Sequence, residues 1–242
     1  MGDTPNFINN SSDTNNSEVV IFESEATPVA ALDSNALPDI ELNFINLSND
    51  VNNSEVVIFG KNEATNFDEL PVAWTVIKYC GQGDNHPFTY PMGQTISASD
   101  SWGNYTAQLN APLGQQFAIK LTTSGDQLVP QRPATSPQEI QLLNALPKGA
   151  VNANIYKNGR LFASKTRIAP QQMAVFQFKP TIWIGVASQI EQGSVINSAI
   201  ISQINTEISL LGIVSADIVM TGGGAGPNAT PFAFTLDNIV MA

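Results

Sequence analysis

Residues 44–59 read FINLSNDVNNSEVVIF, and residues 7–22 read FINNSSDTNNSEVVIF, identical at 13 of 16 aligned positions. Beyond Phe22 and Phe59 the register slips by one residue, and both copies run into Glu-Ala-Thr at 25–27 and 63–65. Each copy places β-branched and aromatic residues on either side of a polar Asn/Ser/Asp stretch, which reads as strand, turn, strand. The expected roles are an assembly arm (Phe7, Ile8, Val19, Val20, Ile21, Phe22) and an acceptor strand pair (Phe44, Ile45, Val56, Val57, Ile58, Phe59). Copy one can mimic copy two, because side chains that fit one series of pockets fit its equivalent in a neighbour.

Outward from the second copy, strand signals recur between turn clusters. They cover Leu42 to Leu47, Glu55 to Phe59, Val72 to Tyr79, Thr95 to Ser99, Asn104 to Leu109 and Gln115 to Thr122. Val151 to Tyr156 and Leu161 to Thr166 flank Lys157-Asn158-Gly159-Arg160, where Asn-Gly supplies the positive φ of a type I′ turn. Met173 to Phe178, Thr181 to Ala187, Asp217 to Thr221 and Phe232 to Val240 complete the series. The expected fold is mainly β: an antiparallel β-sandwich or jelly-roll-like domain over 42–242 with an extended arm over 1–41 and at most one or two short helices. Thr135 to Leu146 reads as a short helix capped by Ser136. Ile196 to Leu211 fits both a helical stripe and a strand, and its β-branched content favours a strand.

Charge is unevenly placed along the 242 residues. Residues 1–70 carry 13 Asp/Glu against one Lys, whereas 71–242 carry 8 against 9 Lys/Arg. An acidic leading segment argues against phosphate-backbone binding, so nucleic acid is excluded as an expected partner. Lys157, Arg160, Lys165 and Arg167 form a basic cluster that fits either an acidic arm or a solvated hairpin. Glu23 to Asn43, rich in Ala, Ser, Asp and Pro, reads as a linker spanning roughly 70 Å when extended. The apolar stretch 195–220 is interrupted too often to cross a membrane as a helix. No signal peptide is evident, which leaves a cytoplasmic protein or one exported by a non-Sec route.

Chemistry-bearing residues are few. Cys80 is the one cysteine, so no intramolecular disulfide forms, and His86 is the one histidine. Cys80, Asp84 and His86 lie within seven residues, but a Gly81/Gly83 turn is a poor frame for a nucleophile and base. No catalytic residue, cofactor or metal ligand is assigned, and the protein is not expected to be an enzyme. Phe88, Tyr90, Trp102 and Tyr105 make a candidate ligand loop for a glycan or lipid head group, set against a structural aromatic cluster. The Gly-rich Thr221 to Pro227 lacks the Gly-Lys-Ser/Thr of a phosphate cradle.

The strings NNSEVVIF, CGQGDNHPFTYP, SDSWGNYT, NANIYKNG, PTIWIGVASQIE and SADIVMTGGG resemble a family of uncharacterised bacterial one-domain β proteins, from about residue 42 to the end. Some members are labelled aromatic-ring-opening dioxygenases. That chemistry needs iron held by at least two histidines, and His86 stands alone, so no site residue is carried over. The resemblance implies a β module with an added arm. The function expected from the duplicate is a structural, self-assembling subunit, a homo-oligomer whose arm adds strands to a neighbouring subunit in a fibre, ring or lattice, with pairing of the arm onto its own chain as the competitor; a lectin-like or membrane-surface module is the alternative.

Overall fold

The computed structural model describes residues 38–242 except 51, 53, 65–68 and 205. The assembly-arm residues 7–22 therefore lie outside the described residues. The chain forms β1 (Ile40–Asn46), β2 (Glu55–Phe59), β3 (Thr75–Ile77), β4 (Asn85–Tyr90), β5 (Thr95–Ser99), β6 (Leu109–Asn110), β7 (Gln115–Thr122) and β8 (Gly125–Pro133). Then follow β9 (Ile140–Asn144), β10 (Val151–Lys157), β11 (Arg160–Ile168), β12 (Met173–Phe176), β13 (Thr181–Ala187), a short helix α1 (Ser198–Gln203), β14 (Thr206–Ser209), β15 (Ile213–Gly223) and β16 (Thr230–Met241).

The strands make four four-stranded sheets, ordered β16-β15-β1-β4, β11-β10-β5-β6, β12-β9-β7-β8 and β14-β13-β2-β3. The architecture is mainly β, mostly antiparallel and consistent with a β-sandwich. Two pairs are parallel, β1 with β15 and β7 with β9. All four sheets contribute to one apolar core that includes Phe44, Ile58, Trp74, Ile96, Phe117, Leu142, Ile155, Phe162, Ile184 and Ile218.

Strand composition follows the number of buried faces. β1 alternates, with Ile40, Leu42 and Phe44 turned into the core and Glu41, Asn43 and Ile45 outward. After Glu55, β2 is apolar throughout because both its faces are covered. Val56 and Ile58 join the main core, while Val57 and Phe59 join a second cluster with Ile190, Ile196 and Ile204, against which Ile200 and Ile201 of α1 pack.

The hairpin expected around Asn158-Gly159 is present, with φ of 50° and 69° at the two turn residues. Other expectations are corrected. Thr135 to Leu146 is not helical; Ile140–Asn144 is a strand parallel to β7, because Ile140 and Leu142 alternate into the core. Ile196 to Leu211 divides: Asn197 caps α1 by accepting from the Ile200 amide at 3.0 Å, and Ile208 enters the main core from β14. Both strands expected in copy two are present, but they do not pair with each other. β1 and β2 sit in different sheets, and residues 47–54 cross between them.

Candidate assembly and ligand surfaces

Copy two occupies the interior of two sheets at once. β1 is flanked by β15 and β4, and β2 by β13 and β3. With neighbours on both sides, Phe44, Ile45, Val56, Val57, Ile58 and Phe59 have no open backbone edge, so these strands are not themselves the acceptor the sequence suggested. They define what a seated copy looks like.

The copies differ at Leu47, Asn49 and Val51, which are Asn10, Ser12 and Thr14 in copy one. Leu47 is 53% exposed and Asn49 is exposed, while position 51 lies outside the described residues. Every position of the segment that is buried among the described residues is the same in both: Phe44, Asn46, Ser48, Val56, Val57, Ile58 and Phe59 answer to Phe7, Asn9, Ser11, Val19, Val20, Ile21 and Phe22. The crossing is duplicated as well. Asn46 accepts from the Ser48 amide at 2.9 Å and the Ser48 hydroxyl at 2.6 Å, and its own amide donates to the Cys80 carbonyl at 2.7 Å. Asp50 accepts from the Asn52 and Ser54 amides. Burial raises the Asp50 pKa, and the Ser54 and Asn52 bonds outweigh it, leaving the carboxyl below its ordinary value. Copy one carries each side chain of this network as Asn9, Ser11, Asp13, Asn15 and Ser17.

Outside the segment the match stops. Buried Ile40 and Leu42 align with Asp3 and Pro5, and Gly60 aligns with Glu23. A Cβ at Gly60 would fall inside the Phe162 ring. Proline at position 42 would remove a ladder donor from an interior strand. The flanks therefore fit copy two, and not copy one, to this slot.

An open cleft of about 340 Å³ is lined by Lys78, Tyr79, Cys80, Gly83, Asp84, Asn85 and His86. Burial, followed by the Asp84 charge, pushes the Cys80 thiol up, away from the reactive thiolate. Asp84 accepts from the Gly81 amide at 3.0 Å, which makes it part of the loop frame. Lys78 bridges Glu55 at 3.3 Å and Glu191 at 3.0 Å.

The four ligand-loop aromatics do not form one cluster. Tyr90 is buried and Phe88 half-buried on β4, each edge-to-face with Trp74 at 5.6 and 6.2 Å. Trp102 is 88% exposed on the turn after β5, and Tyr105 is exposed beside it. Asp100 frames that turn, accepting from the Trp102 amide at 2.8 Å, the Asn104 amide at 3.0 Å and the Asn104 side chain at 2.8 Å.

The basic cluster is dispersed too. Lys157 turns inward, 3% exposed, and its amine donates to the Pro91 carbonyl at 2.6 Å and lies 4.5 Å from the Tyr90 ring centroid. Burial lowers its pKa to about 8, against a raising pull from Asp39. Arg160 donates to the Thr75 hydroxyl at 3.1 Å, and Lys165 sits 3.7 Å from Glu69. The period of β10 signals the inward lysine, since Val151, Ala153 and Ile155 share its face.

No family model, curated protein or solved structure matches this chain. No group of three metal-ligating side chains occurs among the described residues, and no described helix is long and apolar enough to cross a membrane.

Proposed function

We propose that this protein is a structural, self-assembling subunit that lends residues 7–22 to a neighbouring copy. The observation that carries the reading is the coincidence of identity and burial: copy one keeps every side chain that copy two buries among the described residues, together with the polar network that turns the chain between two sheets. A segment needed only as a solvated tail would carry no such pattern. Four side chains like Val19, Val20, Ile21 and Phe22 contribute roughly 1.5–3 kcal/mol each when fully buried, enough to offset much of the ordering of a short arm. Copy two keeps its home slot because Ile40, Leu42 and Gly60 fit it there, which leaves copy one in search of an acceptor.

Deleting residues 1–37 and measuring mass by light scattering across a concentration series tests this. The full chain is expected to be oligomeric and the truncated chain monomeric. An unchanged mass overturns the proposal.

A second reading, a surface that binds neutral glycans, is favoured by Trp102, displayed on a turn that Asp100 holds rigid. An exposed indole presents a face on which a sugar ring stacks, with its N–H free to meet a sugar hydroxyl. Titration of soluble polysaccharides against tryptophan emission is expected to show a change that Trp102→Ala abolishes. Equal binding by that variant eliminates the surface.

A further inference from the structure

We infer that the acceptor is the open end of the sandwich bounded by β16 and β14, and that its occupant is residues 7–22 of a second copy of this chain. This rests on the arm reading above and names where the arm goes.

The four sheets present eight edge strands, and six are guarded against pairing by devices common to natural sheets. β3, β6 and β12 have three, two and four residues. The side chain of Asn62 also covers β12, donating to the Val175 carbonyl at 2.9 Å and accepting from the Gln177 amide at 2.8 Å. β4 carries Pro87 in mid-strand, and β8 carries Pro130 and Pro133. β11 has two register shifts and the charges Arg160, Lys165 and Arg167, and its Thr166 amide donates to Glu69 at 3.0 Å.

β16 shares the bulges, with three register shifts against β15, and carries Asp237, but it runs for twelve residues with no lysine or arginine, and its proline, Pro231, is confined to the second position. Its last apolar residues, Ile239, Val240 and Met241, are all exposed, Met241 at 61%. Leu211, in the short connection from β14 to β15, is 73% exposed. Its neighbour Gly212 accepts from the Ala242 amide at 2.9 Å, which places Leu211 at the same end as Met241. β16 also lies against β13, outside which stands β14, so the two edge strands bound one end of the stack.

That end offers one edge on each of two sheets. Copy one repeats the sequence that in copy two forms two strands joined by a crossing between these same two sheets. Its first strand would extend the sheet at β16 and its second the sheet at β14.

The start of β1 fixes where each arm is rooted. Glu41 pairs with Ser215, and Ser215 with Val240, so the chain enters the domain two strand spacings, about 10 Å, from the exposed end of β16. Residues 23–39 could cover roughly 55 Å when extended. With root and acceptor at one end of the molecule, two copies facing end to end across a twofold axis exchange arms reciprocally. The result is a closed pair.

The experiment compares the full chain, the 1–37 deletion, a Leu211→Lys/Val240→Lys variant and a control Tyr79→Lys/Leu121→Lys variant at exposed sites elsewhere. Light scattering over a concentration series gives mass, hydrogen exchange reports the β16 amides, and circular dichroism checks that each variant folds. The full chain and the control are expected to be dimers with slowly exchanging β16 amides. The Leu211/Val240 variant is expected to dissociate with a constant raised about tenfold or more, and the deletion to be monomeric with fast-exchanging β16 amides. If the deletion dissociates while the Leu211/Val240 variant stays dimeric, the acceptor is wrong and the arm reading stands. If the deletion keeps the mass of the full chain, the arm reading itself is lost. A full chain that is monomeric, yet whose β16 protection depends on residues 1–37, pairs within one molecule and overturns the second copy as occupant.

Discussion

Trp74, Tyr90 and Phe162 meet edge-to-face at 5.6 to 6.4 Å in the core, with Phe88 and Phe178 on their rim, whereas Trp102 and Tyr105 stand in water on a turn. Phe88 and Trp102 are 14 residues apart in the chain and read as members of one group. What separates them is the backbone beneath them. β4 alternates, so Phe88 and Tyr90 share the face that meets Trp74 and Phe162. Asp100, by accepting from three donors, folds the chain into a tight turn that leaves Trp102 nothing to pack against. Residue type chooses the candidates, and local hydrogen bonding decides which become core.

The largest effect should therefore come from the inner group. Trp74→Ala removes the ring common to three of its contacts and the indole bond to the Lys157 carbonyl at 3.2 Å, and is expected to cost about 3–5 kcal/mol in urea unfolding. A cost below about 1 kcal/mol would mean that the cluster is not what joins the sheets.

Next comes the charge inside that cluster. The Lys157 amine has a folded pKa of about 8 against an ordinary 10.5, chiefly because burial disfavours the ammonium. Between those values the unfolded chain binds more protons than the folded one, so this group makes stability rise with pH, by roughly 3 kcal/mol across the window. Tyr90, whose burial raises its pKa, acts oppositely above its ordinary value of 10. Comparison with Lys157→Met cancels that term. The stability of the parent relative to this variant is expected to climb from pH 8 to 10.5, and parallel profiles would place the amine in water.

Gly60→Ala sharpens the comparison from the backbone side. The added methyl meets the Phe162 ring, which is held by Trp74 at 5.7 Å and Phe178 at 5.0 Å, and a loss of about 1–3 kcal/mol is expected from thermal unfolding. A neutral result would show that the ring can turn aside, leaving the inner group as loosely packed as the outer.

The sequence made much of the fold legible where the signals are local. β2, β5, β7 and β13 and the Asn158-Gly159 hairpin follow from alternation and turn chemistry. It misled where an edge or a distant partner changes the rules. β4 and β8 are absent from the expected strands; they contain Pro87, Pro130 and Pro133, and form because an edge strand tolerates a residue that cannot donate. Ile140, Leu143 and Leu146 suggested a helix, but β7 already offered Ile140–Asn144 a parallel partner. The pairing of β1 with β15, some 174 residues away, leaves no periodic trace. The candidate surfaces were half visible: the duplicate stands out in the chain, whereas the split of the aromatics and the exposure of β16 depend on which faces the other sheets cover.

The smallest expected effect is at the displayed tryptophan. Trp102→Ala removes a side chain with little to leave behind, and the change in stability should stay within about 0.5 kcal/mol. Asp100→Ala, one step down in the same turn, leaves the Trp102 and Asn104 amides without their acceptor and should cost about 1 kcal/mol. Burial raises the pKa of Asp100 and its bonds from Asn104, Trp102 and Gly103 more than reverse this, so the folded value lies below the ordinary 3.8. The Asp100 contribution is then fully present above that ordinary value and fades as pH falls through the folded one, while Trp102→Ala is indifferent to pH. Urea unfolding of both variants near neutrality and near pH 3 separates the roles. A Trp102→Ala cost equal to that of Asp100→Ala would mean that the indole is packed against the turn, and the contrast between an aromatic that builds the core and one that is merely presented would fall.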